Sequence, residues 1–527
     1  MNASDAAADC PAPLSHPKLV FASLLLTTAV VNINLTVANA TLPEIGREFD
    51  ASQTELDFVV VGYTLGLAAS VLYLSALGDR YGWKIMAILG NTFSVPTSIM
   101  AAFAPTVEIL IFARILGGIA ASISLPTTLA LITTFWSGRQ RAKIISLWGA
   151  VGASMVALST PLVGILLTAF WWGSAFLLSV PISISALLFA MVFVPSSVNE
   201  ASGTVDHAGG LLSILCAGSV ILAINFASQT GMADVTYTLL SLAIATGSLF
   251  IISQRRASFP LLDPLIVKRR IFWTAACLGM IVYGARLGAL FIGQQFLQNI
   301  LEYTAFEAGI ILTPMAISSL FIAPYSARLA MNRGCRFTLI FGFFFFLLGF
   351  AVMLLWRENS PPFEILLAFT FIGLGVGLAG TPTSCSLAAA VPLSRAGMAS
   401  SVAAIQSALG GAAMQSILGS VLTVGYGKSF NKLLTGNSST QEVERAVKNQ
   451  LTKSFAAATE IEIRYPQYTG KIEQAARDSF RHGADWAYCA GILAILLGFM
   501  LAYWAYPVKA EEEYLYGKYG KEDRGGG

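Results

Sequence analysis

The stretch Ser75–Lys84, SALGDRYGWK, sets a short charged turn between two long apolar runs. Asp79, Arg80 and Lys84 would be costly inside hydrocarbon, whereas a tight loop at a membrane face leaves them in water. The runs on either side are each near the ~20 residues that carry a helix across a bilayer. Reading outward from this turn, the same alternation of apolar windows and charged gaps repeats along the chain. It predicts about fourteen membrane helices, at 19–42, 56–77, 84–104, 107–130, 142–168, 173–194, 209–227, 235–254, 272–298, 306–329, 336–356, 362–386, 395–425 and 486–506.

Composition agrees with that reading. The 527 residues are 55% hydrophobic and only 12% charged, where soluble domains carry roughly 25% charged residues. The mean hydropathy is +0.69. A net charge of +3 is too small to point to nucleic acid. The six cysteines are scattered through mostly apolar runs, which suits small packed side chains rather than a metal site or a disulfide framework. His16, His207 and His482 lie outside the predicted spans, and no phosphate-binding loop occurs, so catalysis by ATP hydrolysis or a metal is poorly supported and no cofactor is expected. The polar N-terminus has no basic region ahead of a short apolar core, so the first span is expected to anchor itself.

Lys and Arg in short loops orient the spans. Placing the N-terminus inside puts Arg80 and Lys84, then Arg139, Arg141 and Lys143, then Arg255, Arg256, Lys268, Arg269 and Arg270 on the cytoplasmic side. The opposite loops hold Glu44, Glu48, Asp50, Glu55, Asp57, Glu108, Asp234, Glu302 and Glu307 with few cations. Both termini are therefore expected to be cytoplasmic. Residues 427–485 form one long polar segment outside, expected as a packed cap or hairpin, within which VERAVKNQLTKSFAAATEIE has the pattern of an amphipathic helix.

An internal repeat divides the chain. Gly82-Trp83-Lys84 is echoed by Gly334-Cys335-Arg336, Leu125-Pro126-Thr127 by Thr381-Pro382-Thr383, and Arg141-Ala142-Lys143 by Arg395-Ala396-Gly397. The order is kept and the offsets are nearly equal. Two homologous six-helix halves follow, 1–200 and 261–527, with two inserted helices in 201–260. Halves related in this way enclose a site near the bilayer midplane and give alternating access by rocking.

With these residues in view, the chain resembles the fourteen-helix drug:proton antiporter branch of the major facilitator superfamily. SALGDRYGWK resembles the loop signature G-x-L-x-D-R-x-G-R-K, NLTVANATLPEI (34–45) the first-span signature, ARILGGIAA (113–121) the R-x-x-q-G of span four, LSVPISI (178–184) a span-six stretch, and YTAFEAGIILTP (303–314) the Y-S-P-L-x-A-G-x-x-x-L-P pattern. The resemblance implies an all-α membrane protein with the major facilitator fold, exporting small amphipathic organic compounds or drugs from a bacterial plasma membrane, as a monomer driven by protons. This chain departs from the pattern at several points. Asn34 stands where the branch has aspartate, Trp83 replaces an arginine, and of the span-five signature only Pro161 and Gly164 remain.

The charges inside the predicted spans are unusual. Arg114 and Arg286 lie deep, and no carboxylate lies near any midplane, although an ionised group there costs roughly 3 kcal/mol or more. Arg114 matches the family arginine tied to coupling; the bland alternative is a side chain capping carbonyls at a helix break. Arg286 shares a helical face with Tyr283, Leu290 and Gln294, which suits either a cavity wall or an interhelical packing pair. If both arginines line the cavity, the site is electropositive and favours anionic or neutral amphiphiles. Asn34, Tyr63, Gln295 and Gln406 are candidate substrate contacts; Asp79, Arg80, Pro161 and Gly164 are candidate gating positions. Without a midplane carboxylate, protons would ride on the substrate or on Asp57 or another peripheral acid, and a uniporter or an exporter of anionic or lipid-like substrates is the alternative.

Overall fold

The computed structural model describes residues 16–51, 53–195, 205–227, 232–257, 259–392, 395–436 and 469–525. They fold into helices joined by short turns: α1 (Pro17–Phe49), α2 (Gln53–Tyr81), α3 (Trp83–Ala102), α4 (Val107–Phe135), α5 (Gly138–Ala169), α6 (Ser174–Leu177), α7 (Ser179–Phe193), α8 (His207–Ala227), α9 (Ala233–Arg256), α10 (Pro264–Val267), α11 (Arg270–Asn299), α12 (Ala305–Arg333), α13 (Cys335–Leu354), α14 (Pro362–Ala389), α15 (Ala396–Gly436), α16 (Thr469–Trp504) and α17 (Lys509–Gly525). Among the described residues, 14 segments are long and apolar enough to cross a membrane, as the charge gaps predicted. Helices are the only regular structure there, because each satisfies its own backbone hydrogen bonds without water.

Helices α1–α5 and α7 pack into one bundle and α11–α16 into a second. The bundles meet where α5 lies along α12, and where α2 and α4 lie against α15. The inserted helices α8 and α9 pair with each other, and α8 leans on α2. Helix α9 is peripheral: Tyr237, Ile244, Leu249 and Ile251 are exposed apolar side chains suited to lipid.

Small residues bring the helices together. A side chain at Gly118 would overlap the Tyr63 carbonyl, and one at Gly66 the Ile115 carbonyl, so α2 and α4 touch backbone to backbone. Between the bundles, a Cβ on Gly309 would lie 2.6 Å from the Pro161 nitrogen. Such contacts suit a membrane protein, where dispersion has to replace the hydrophobic drive that lipid removes.

The sequence echo between Gly82 and Gly334 is also a structural one. Both precede the first residue of a helix at positive φ, 96° and 91°, a region that only glycine enters cheaply. Within the run Phe343–Leu347, Phe343 and Phe346 are fully buried, while Phe344 is exposed.

Two features differ from expectation. The ends of the 427–485 segment are helical, because α15 continues to Gly436 and α16 begins at Thr469; VERAVKNQLTKSFAAATEIE lies outside the described residues. The charged tail after the last span also folds, as α17. Arg269 pairs with Asp523 at 2.5 Å and Arg270 with Glu511 at 2.6 Å. Glu512 accepts a hydrogen bond from the Cys335 N–H at 3.2 Å, at the start of α13. Burial pushes the Glu512 carboxyl above the usual glutamate range. The polar composition of α17 hid it from a reading by hydropathy.

Gly118→Val should force α2 from α4. Overpacking of this kind costs about 1–3 kcal/mol, so the purified variant should show a clear loss of Tm in a thermal-shift measurement; an unchanged Tm would refute the close approach.

Candidate functional site

Asp57 lies near the start of α2 and Asp79 near its end, about 33 Å apart at 1.5 Å per residue. They mark the two faces of the molecule. At the Asp79 face, the Asp79 carboxylate accepts a hydrogen bond from the Gly397 N–H at 3.1 Å, in the first turn of α15. The helix N-terminus is electropositive, so a carboxylate there is doubly favoured. Arg395, two residues before Gly397, pairs with Asp263 at 2.8 Å. Gly397 has to be small, since a Cβ there would meet an Asp79 carboxylate oxygen at 2.5 Å and the Trp83 ring at 2.7 Å. Arg80 instead is exposed, with its guanidinium 5.6 Å from the Tyr81 ring centre.

Toward the Asp57 face, α2 and α15 part, and a cavity of about 460 Å³ opens between the bundles. Its size fits a small organic molecule. Leu35, Val60, Leu287, Phe291 and Leu422 give it apolar walls, and Thr36, Asn39, Gln295, Gln415 and Ser416 add neutral polar groups. Asp57 is its one ionisable lining side chain among the described residues. Helix α8 supplies Ile221, Ile224 and Asn225, and the Ser416 hydroxyl donates to the Ile224 carbonyl at 2.8 Å, joining α8 to α15.

Neither arginine lines this cavity. Arg114 turns into the first bundle. Its Nε donates to the Val59 carbonyl at 3.0 Å, and its guanidinium lies 4.7 Å from the Tyr63 ring centre and 5.6 Å from that of Phe176. Arg114, Tyr63 and Asn34 surround a void of only about 10 Å³. Val59 lies inside the unbroken α2, so the carbonyl contact of the bland alternative is present without the helix break it supposed. Arg286 and Tyr283 line a separate void of about 40 Å³ between the bundles. Among the described residues the two arginines therefore border separate small voids rather than one chamber, and the large cavity carries a carboxylate.

The other expected positions scatter. Gln295 lines the large cavity. Gln294 precedes it on α11 and is partly buried. Gln406 is buried, and its amide donates to the Ala275 and Ala276 carbonyls at 2.8 and 2.9 Å, tying α15 to α11. Pro161 and Gly164 of α5 face α12, against Gly309 and Phe306. Asn225, Gln415 and Ser416 escaped the sequence reading. The one available signal was a lone amide, Asn225, near the end of the otherwise apolar α8.

Asp79→Asn keeps the shape but removes the charge facing the α15 N-terminus. Transport should slow several-fold with KM within about twofold, as expected when a conformational equilibrium rather than binding is disturbed. Unchanged turnover in a flux assay would count against a latch.

The comparisons with known proteins agree with this architecture. The Major Facilitator Superfamily model matches residues 24–415. The multidrug efflux pump LfrA of Mycolicibacterium smegmatis is 30% identical over 77% of this chain and 81% of its own length. The multidrug resistance protein Stp of Mycobacterium tuberculosis is 29% identical over 75% of the chain and 73% of its own, and the methyl viologen resistance protein SmvA of Salmonella typhimurium 27% over 91% and 96%. The crystal structure of the human organic anion transporter MFSD10 superposes with a TM-score of 0.57 at 14% identity, covering 92% of this chain and 98% of that one, a likeness of fold alone. A match to the family model over most of the chain, on fourteen apolar helices in this arrangement, makes the protein a member of the major facilitator superfamily of membrane transporters.

Proposed function

We propose that this protein exports small amphipathic organic compounds by alternating access, and that cationic or neutral compounds are preferred over anionic ones. The observation that carries the preference is Asp57 on the wall of a largely apolar 460 Å³ cavity. A carboxylate in a low-dielectric pocket attracts a cation far more strongly than one in water. Similarity to LfrA, Stp and SmvA, named for drug efflux and resistance, supports the export direction.

In this reading the Asp79 face is cytoplasmic, as the basic loops imply, and the conformation described opens outward. The bundles 1–200 and 261–527 rock about the α5–α12 and α2–α15 contacts. Asp57 takes either a proton or the cationic head of the substrate, so the two compete for one oxygen pair and exchange across the cycle. Gln295 and Asn39 orient the polar end of the substrate. The working unit is a monomer in a bacterial plasma membrane, and no bound cofactor is needed.

Flux in proteoliposomes with an imposed pH gradient, run with lipophilic cations, neutral compounds and organic anions in parallel, tests this. Cations should exchange for protons. Asp57→Asn should raise KM for cations about tenfold, the equivalent of about 1.4 kcal/mol, and leave neutral compounds within about twofold. Transport of anions but not cations would overturn the assignment.

A further inference from the structure

Arg286 lies deep between the bundles, 2% exposed. Its Nε and Nη2 have no hydrogen-bond partner. These two nitrogens form one edge of the guanidinium, the edge whose parallel N–H bonds grip a single anion. Arg286 borders the void of about 40 Å³ described above, together with Thr28 and Asn32 of α1, Trp148 of α5, Tyr283 of α11, and Ser400 and Ser407 of α15. No acidic side chain lines this void among the described residues. The Tyr283 ring centre is 5.4 Å from the guanidinium carbon, which stabilises the cation without neutralising it.

We propose that this void is a binding site for a small inorganic anion of chloride size, held by the Arg286 guanidinium. Three observations converge. An unpaired buried charge requires a counter-charge, and none is supplied by the protein around it. The void has room for roughly three water-sized bodies, enough for an ion with a water but too little for an organic substrate. Both bundles contribute to its walls, so an anion there is enclosed only while the bundles are closed on the Asp79 side. Ser407 lines this void and the large cavity alike, so the site lies directly behind the floor of that cavity. The anion acts as a removable counter-ion that stabilises the conformation open toward Asp57. This goes beyond the export reading and does not depend on which compound is carried.

The test uses the full-length protein in detergent. Its Tm is followed as chloride replaces gluconate at constant ionic strength. Wild-type Tm should rise by several degrees and saturate, and Arg286→Gln should show no chloride dependence. Arg286→Lys, which keeps the charge on a different geometry, should respond weakly and guards against a glutamine variant that does not fold. Crystals grown in bromide should give an anomalous peak within hydrogen-bonding distance of Arg286. A flat chloride titration of the wild type, a titration unchanged in Arg286→Gln, or a bromide map empty at this position would overturn the proposal. Stabilisation by benzoate but not by chloride would also overturn it, by assigning the charge to an organic ligand.

Discussion

At its Asp79 end, helix α2 is fastened to α15 by a carboxylate set on a helix terminus. At that end the Asp79 carboxylate meets the first N–H groups of α15, where a helix offers unsatisfied donors and a positive dipole. Toward Asp57 the two helices line a common cavity between the bundles. The Asp79 contact joins the bundles at the end of α2 opposite the cavity. It is also a contact that rocking can break, since it consists of one carboxylate and one helix end rather than interlocked side chains.

The two buried guanidinium groups show how a membrane interior accommodates charge. Arg114 uses a backbone carbonyl and two aromatic faces, and is fixed within one bundle. Arg286 has an aromatic face on one side and two buried, unpartnered nitrogens, and borders a void between the bundles. A charge secured inside one bundle moves with it as a rigid body. A charge at the boundary feels a different environment in each conformation, and can bias the equilibrium between them.

The helix α17 adds a second docked carboxylate at the same face, with Glu512 at the start of α13 as Asp79 is at the start of α15. The equivalent turns carry Gly82 and Gly334 in the same unusual backbone conformation. The backbone of the turn is alike at both places, whereas the acid that caps a helix near the second one comes from α17.

The sequence by itself determined the number and approximate positions of the membrane helices, because hydrocarbon permits only long apolar segments with internally satisfied backbones. It likewise determined the glycine turns and the family, since both rest on residues adjacent in the chain. Which side chains share a cavity was left to the tertiary structure. Helical spacing gave Arg286 a face but could not say whether that face met a void of 40 or 460 Å³. Nor could it bring Asn225 and Ser416, nearly two hundred positions apart, to one wall. The directions of Arg114 and Asp57 depended on how closely α2 approaches α4 and how far it stands from α15, and distances between helices are set by packing that no local pattern records.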